Sequence, residues 1–177
     1  MRRPKQIQRS IHLGYLEYLN SLSELTDDEK ALYNSIGREF IKEVETTKMT
    51  KVFKMPVLMS FYNEGSMRMA VTDEQVLASW KNFFDQCDNW KDLEKVESYD
   101  DYLAISDEDH IKKIKKMPIN FLVKSREGFF IRKEGYAIAL KDELMDVIDS
   151  QALAMHFKDA IDYRAMEYYR SRYLRDR

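Results

Sequence analysis

One cluster in the sequence has residue types that could catalyse a reaction: Asp107-Glu108-Asp109-His110, which follows the partly apolar residues 102–105. Acids in such a run hold magnesium and orient water at a bound nucleotide in ATP-driven enzymes. They work with a glycine-rich loop ending in Lys-Ser/Thr that cradles the phosphates, and the sequence contains no such loop. We therefore interpret the three acids as the first turn of a helix, where the helix dipole stabilises negative charge.

The histidines and the cysteine give no stronger sign of catalysis. His12, His110 and His156 have no ligand-type residue four positions further on, so they do not predict a metal site. Cys87 is the only cysteine, which excludes an intrachain disulfide and a cysteine-based zinc site and fits a reducing cytoplasm. The sequence predicts no catalytic residue, no metal and no cofactor. We expect the chain alone not to be an enzyme.

The net charge of -2 conceals two neighbouring blocks of opposite sign. Residues 85–109 contain ten acids and two lysines, a net of -8, and residues 110–135 contain eight bases and two acids, a net of +6. Such runs are usually solvated surface, but clustered bases also attract phosphates. The residues predicted to contact nucleic acid lie in the basic block and near the C-terminus: Lys112, Lys113, Lys115, Lys116, Arg132, Lys133, Arg170, Arg172 and Arg175. Glu97, Asp100 and Asp101 of the acidic block are the predicted contacts for a protein partner.

The C-terminal segment mixes tyrosines with arginines, a combination that suits phosphate binding and base stacking. Its apolar residues also recur at helical spacing, which is typical of a helix packed on a core. Arg164 falls on that apolar stripe. We predict that it is half-buried and paired with a carboxylate, since a buried charge needs a partner.

The elements that must position these residues are mainly helices. Apolar residues are 44% of the chain, charged residues 34%, and there are only five glycines and three prolines, which favours helix over an all-β sandwich. Capping boxes, in which Thr26 is followed by Glu29 and Thr72 by Gln75, mark two helix starts. The periodicity predicts helices over residues 6–25, 26–44, 54–64, 72–84, 106–117 and 151–175, a short helix near 90–96, an alternating segment at 67–71, and a hairpin with strands 129–132 and 136–140.

The order helix, strand, two helices and hairpin in residues 51–145 is that of a winged-helix module. The fold class predicted is mostly α (α+β), with a winged-helix-like centre and a β-hairpin flanked by N-terminal and C-terminal helices. The predicted parts are a helical pair in residues 1–50, the winged-helix-like module in residues 51–145, and a helix in residues 146–177 that packs on the module.

Several stretches between about Thr26 and Tyr173 resemble a known group of proteins. They are Ser35-Ile36-Gly37-Arg38-Glu39-Phe40, the segments from Glu45 to Lys51 and from Phe53 to Tyr62, Ile119-Asn120-Phe121-Leu122, Phe129-Phe130 and Phe157-Lys158-Asp159-Ala160-Ile161-Asp162-Tyr163-Arg164. They are similar to the non-catalytic C-terminal region of bacterial DEAD/DEAH-type helicases that carry a phospholipase-D-type nuclease domain and occur in restriction or phage defence. The ATP-binding loop, the acidic box and the paired His-x-Lys nuclease motifs of that group are missing here. The resemblance therefore implies a binding or coupling role without motor or nuclease activity.

The function predicted is a cytoplasmic nucleic-acid-binding or coupling domain of a helicase-based DNA-processing or defence system. Its expected partners are DNA and a helicase or nuclease, in the same polypeptide or in another one, with no membrane. The alternative is a protein-interaction module that uses the acidic block and does not contact DNA. The dependence of DNA binding on salt separates the two, because neutralised phosphates release counterions.

Overall fold

The computed structural model describes residues 14–86, 89–94, 102–124 and 128–173. The helices are α1 (Tyr15–Leu22), α2 (Asp27–Tyr33), α3 (Ile36–Thr46), α4 (Lys54–Met59), α5 (Asp73–Phe84), α6 (Lys91–Glu94), α7 (Asp107–Ile114), α8 (Asn120–Val123) and α9 (Gln151–Tyr173). The strands are β1 (Tyr62–Asn63), β2 (Ser66–Met67), β3 (Ala70–Val71), β4 (Phe130–Ile131) and β5 (Ile138–Leu140). Single turns of 3-10 helix occupy Tyr102–Ala104 and Asp142–Leu144, and a π turn occupies Lys115–Ile119. The prediction of a mostly helical α+β fold is confirmed.

Both predicted capping boxes are present. The Thr26 hydroxyl accepts the Glu29 backbone N–H at 3.3 Å, and the Glu29 carboxylate accepts the Thr26 N–H at 2.9 Å. Thr72 and Gln75 make the same reciprocal pair at the start of α5. These bonds satisfy backbone donors that the first turn of a helix leaves unpaired, so they determine where α2 and α5 begin.

The helix predicted over residues 26–44 is two helices, because the chain turns at Asn34 and Ser35. The Ser35 hydroxyl donates to the Leu32 carbonyl at 2.7 Å and accepts the Gly37 N–H at 3.1 Å, so it ends α2 and caps α3 at once. A side-chain oxygen that competes for backbone partners explains this break in a continuous apolar pattern. The predicted apolar stripe survives, since Phe40 and Val44 of α3 are buried.

The segment after Met59 also differs from the prediction, which continued the helix to Gly65. Instead β1 and β2 form a tight hairpin, with Tyr62 opposite Met67 and Asn63 opposite Ser66. The two residues between the strands, Glu64 and Gly65, have φ angles of 47° and 88°. This left-handed pair is the geometry that a two-residue hairpin turn requires.

A second sheet joins β3 to the hairpin that was predicted near residues 129–140. The three strands are antiparallel in the order β3-β5-β4, with Ala70 opposite Ala139 and Phe130 opposite Leu140. All three residues of the central strand β5 are buried. The sheet is therefore covered on both faces, and β3 connects it directly to the start of α5.

The core brings the predicted N-terminal, central and C-terminal parts into one cluster of buried side chains. Phe40 of α3 lies 5.4 Å from Phe157 of α9, 5.5 Å from Phe129 and 5.9 Å from Phe130, measured between ring centroids. Rings at these separations attract one another in addition to the area that they bury. Among the described helices, none combines the length and apolar character needed to cross a bilayer.

Helix α1 is held against α3 by polar contacts. The Glu45 carboxylate accepts the Tyr15 backbone N–H at 3.1 Å, and the Glu17 carboxylate accepts from Arg38 Nε at 2.9 Å. Burial raises the pKa of Glu45, and the neighbouring negative charge of Glu17 raises it further. The ionised form of Glu45 is thus disfavoured in the folded protein, although its oxygen caps α1.

We predict that Glu45→Gln stabilises the protein at pH 7. The amide oxygen still accepts the Tyr15 N–H, but no charge is buried. A carboxyl group whose pKa is raised by folding contributes most stability below its unfolded pKa and loses it as the pH rises through the folded pKa. The advantage of the variant should therefore shrink as the pH falls toward 4.5, the ordinary glutamate value.

Urea unfolding of both proteins at several pH values measures this difference. Glu24→Gln, at an exposed position beyond the end of α1, is the matched control and should show no such trend. An advantage that grows toward low pH would contradict the prediction.

Candidate nucleic-acid interface

The basic helix α7 begins with the acidic first turn that its sequence predicts. The Ser106 hydroxyl accepts the Asp109 N–H at 3.2 Å, which caps the helix above its acidic first turn. His110 and Ile114 are buried on its inner side, and the His110 ring lies 5.3 Å from that of Tyr102. Burial lowers the pKa of His110, and the nearby Lys81 ammonium lowers it further. The exposed side carries Lys112, and Lys116 in the π turn that follows is exposed as well.

Two ion pairs join α7 to α5 in an antiparallel arrangement. Lys81 near the end of α5 pairs with Asp107 at the start of α7, and Lys115 just beyond α7 pairs with Asp73 at the start of α5, at 2.6 Å. In each helix the paired residues are eight positions apart, about 12 Å along the axis. Lys115 thus has an acidic partner within the protein, whereas the sequence predicts it only as a contact for nucleic acid.

The helix does not close at Met117-Pro118 as predicted but continues through the π turn into α8. In an α-helix the Pro118 ring would clash with the carbonyl four residues before it, and the wider π turn removes that conflict. Ile119 and Leu122 are buried, which holds the turn against the core. Phe121 is left 58% exposed.

One small gap in the packing has side chains of α7, α5 and the base of the hairpin around it. Lys115 and Ile119 line one side of it, Ala137 at the base of β5 lines another, and Asp73 and Val76 of α5 complete it. Of the bases in the block at residues 110–135, Lys115 lies at this contact between α7 and the hairpin. We call this feature the α7–β5 recess.

The tip of the β4–β5 hairpin projects from the sheet next to this recess. The Tyr136 N–H donates to the Lys133 carbonyl at 3.2 Å, and Gly135 has a φ angle of 79° that permits the turn. Arg132 and Lys133 are exposed, as is the acid that follows them, Glu134. The predicted contact residues on the hairpin and on the outer side of α7 are thus open to solvent.

Two of the predicted C-terminal contacts, Arg170 and Arg172, differ in their surroundings. Arg172 pairs with the buried carboxylate of Asp92, which also accepts the Tyr168 hydroxyl at 2.6 Å. Burial and the Asp92 carboxylate raise the pKa of Tyr168 above its ordinary value, so the phenol stays a donor. Arg170 is exposed, and Arg175 lies outside the described residues.

This C-terminal group lies near the far end of α5 from the recess. Tyr169 of α9 stacks on Phe83 at a centroid distance of 6.4 Å, whereas the recess is built on Asp73 and Val76. Asp73 and Phe83 are separated by about 15 Å along the helix axis. The structure thus does not gather the arginines of α9 with the lysines of α7.

Arg164 behaves as predicted from its place on the apolar stripe. Its guanidinium pairs with Glu167 at 3.0 Å and donates to the Thr47 carbonyl at 2.7 Å, with the side chain 21% exposed. The bond to Thr47 joins α9 to the end of α3. The sequence predicts the carboxylate partner of Arg164 but not its bond to the Thr47 carbonyl.

Several acids of the block at residues 85–109 have partners within the fold. Asp85 accepts the Tyr102 hydroxyl at 2.8 Å, Asp109 pairs with Lys112 at 3.2 Å, and Asp92 and Asp107 make the ion pairs described above. Glu97, Asp100 and Asp101, the predicted contacts for a protein partner, lie outside the described residues. Sequence reasoning missed the structural roles of Asp73 and Asp92, because nothing local distinguishes them from solvated acids.

No family model matches the chain, and neither the curated proteins nor the solved structures contain a match to it. Within the described ranges, no group of three or more histidine, cysteine, aspartate or glutamate side chains is placed to hold a metal ion. The proposed function therefore rests on where the structure places the basic side chains.

We predict that Arg172→Ala lowers the free energy of unfolding by about 1.5–3 kcal/mol, the range for a hydrogen bond to a charged group. The substitution deprives the buried Asp92 carboxylate of its cationic partner. Arg170→Ala, two positions away and exposed, should change stability by less than about 0.5 kcal/mol. Urea unfolding monitored by circular dichroism compares the two variants. Equal losses would mean that Asp92 does not depend on Arg172.

Proposed function

We propose that the protein is a DNA-binding domain whose contact surface is the outer side of α7 together with the tip of the β4–β5 hairpin. The observation that carries this proposal is the α7–β5 recess, where Lys115 and Ala137 line the same depression. A helix with exposed lysines and a projecting hairpin with Arg132 and Lys133 then offer phosphate contacts on two sides of one bound molecule.

The order of the elements supports a winged-helix arrangement for this region. Helix α4, strand β3, helices α5 and α7, and strands β4 and β5 occur in this order, with the β1–β2 hairpin, α6 and α8 as additional elements between them, and the sheet order is β3-β5-β4. Under this proposal α7 is the helix that approaches the DNA groove and the hairpin tip is the wing. The long connection between α5 and α7 departs from the short turn of a simple helix-turn-helix.

The ion pairs of the lysines agree with this assignment of roles. Lys112 and Asp109 are both exposed, and a pair of that kind contributes little and exchanges readily for a phosphate. Lys115 is less exposed and joins α7 to α5 through Asp73. We therefore assign phosphate contact to Lys112, Lys113, Lys116, Arg132 and Lys133, and a positioning role to Lys115.

We further propose that the domain acts with a helicase or nuclease, in the same polypeptide or as a separate partner, in the reducing cytoplasm that a lone cysteine fits. A binding domain of this kind has no energy source, so any directional role requires an ATP-driven neighbour. The alternative, a protein-interaction module that uses the acidic block, has less support among the described residues. Asp85, Asp92, Asp107 and Asp109 already have internal partners.

We predict that replacing Lys112, Lys113 and Lys116 together by alanine weakens binding to duplex DNA of any sequence. Each lost phosphate contact should flatten the slope of log K against log salt by about 0.9. Fluorescence anisotropy with a labelled duplex between about 50 and 200 mM salt measures both quantities. The control is a triple variant in which Lys30, Lys42 and Lys48 are replaced by alanine. It makes the same charge change on α2, on α3 and just after α3.

Equal losses in the two triple variants would mean that only net charge matters and that α7 is not the site. No binding by the unmodified protein at low salt would contradict DNA binding altogether and favour the protein-interaction alternative.

We also predict that the purified protein hydrolyses neither ATP nor DNA with magnesium present. Asp107 and Asp109, the acids that could hold the metal, are paired with Lys81 and Lys112. Turnover assays on the protein and on Asp107→Ala check this. Activity that persists through repurification and disappears in the variant would assign catalysis to the acidic turn.

A further inference from the structure

Two exposed aromatic rings each lie beside a lysine ammonium. Lys133 Nζ is 5.8 Å from the centroid of the Tyr136 ring, and Lys124 Nζ is 5.9 Å from the centroid of the Phe121 ring. Tyr136 is 44% exposed and Phe121 58%. A single exposed ring is common on protein surfaces, but here the lysines of two ring–ammonium pairs both belong to the basic block.

Both pairs are close in sequence to residues of the α7–β5 recess. Phe121 is two positions after Ile119, and Tyr136 immediately precedes Ala137, and both Ile119 and Ala137 line the recess. The two exposed rings thus belong to elements next in sequence to those lining residues, α8 and the hairpin tip. Neither ring takes part in the core cluster, so their exposure does not follow from packing requirements.

We propose that Tyr136 and Phe121 stack on unpaired bases, and that Lys133 and Lys124 contact the phosphates of the same strand. This inference rests on the proposed DNA binding and names its substrate class, a DNA with an exposed single-stranded segment. Every base offers a flat π face to an aromatic ring when it is not stacked in a duplex. A ring beside an ammonium matches the alternation of base and phosphate along one strand.

Duplex DNA does not offer the same contacts. Its bases present only their edges in the grooves, and their faces are covered by neighbouring base pairs. A side chain reaches a base face in a duplex only where two neighbouring base pairs are unstacked, and this unstacking costs free energy. The rings should thus contribute to binding of a single strand and little to binding of a duplex, whereas the lysines contribute to both.

The competing explanation is that each lysine and ring form a local surface contact with no ligand. An exposed cation–π pair is worth about 0.5–1 kcal/mol, enough to account for the observed geometry without DNA. Glu134 at the hairpin tip also lowers the local positive charge. Removing the rings separates the two explanations, because a local contact does not affect affinity for DNA.

The experiment compares a labelled single-stranded oligonucleotide with the duplex of the same sequence, by fluorescence anisotropy at one salt concentration. Tyr136→Leu and Phe121→Leu remove the rings while leaving exposed apolar side chains of similar bulk. We expect each to weaken single-strand binding about 10-fold, within the range for loss of one base stack, and duplex binding less than 2-fold. Tyr136→Phe keeps the ring and should retain binding.

Tyr163→Leu, on the exposed side of α9, is the matched control and should leave both affinities unchanged. Thermal unfolding of each variant establishes that the fold is intact. Unchanged single-strand affinity in the Leu variants, or equal losses on single strand and duplex, would overturn the stacking proposal while leaving DNA binding in place. Binding of neither oligonucleotide by the unmodified protein would remove the proposed function itself.

Discussion

The contact of Phe40 with three other aromatic rings is the interaction on which the rest of the structure depends. Through it α3 contacts α9 at Phe157 and the β4 region at Phe129 and Phe130. Phe130 in turn meets Phe61, which follows α4. These contacts anchor the base of the hairpin to helices that are distant in sequence. A smaller residue at Phe40 would open a cavity shared by three segments, which is the kind of core change that costs most.

The features predicted correctly from the sequence are those determined by neighbours along the chain. Thr26 and Thr72 cap helices because a partner glutamate or glutamine lies three residues away. The apolar stripe of α3 follows from helical periodicity alone. The break at Ser35 was missed because the same serine can cap a helix or sit within one, and only its bonds to Leu32 and Gly37 decide between these roles.

The candidate interface was predicted less completely, because the role of a charged side chain depends on what lies across from it. Arg170 and Arg172 look alike in sequence, yet Arg172 has the buried Asp92 as its partner. The two ion pairs between α5 and α7 also favour the antiparallel orientation of these helices. A parallel arrangement would place Asp107 beside Asp73 and Lys115 beside Lys81, so like charges would meet. This constraint on helix orientation can be recognised only when α5 and α7 are known to be neighbours.

The π turn at Lys115–Ile119 has a consequence for how the chain compares with any relative. A π turn contains one residue more than the α-helical turn that it replaces. A chain without the proline that wound this stretch as plain α-helix would need one residue fewer to bury the counterparts of Ile114 and Leu122. A correct alignment of two such chains would therefore open a single gap within Lys115–Ile119, inside a helix, where gaps are ordinarily penalised most.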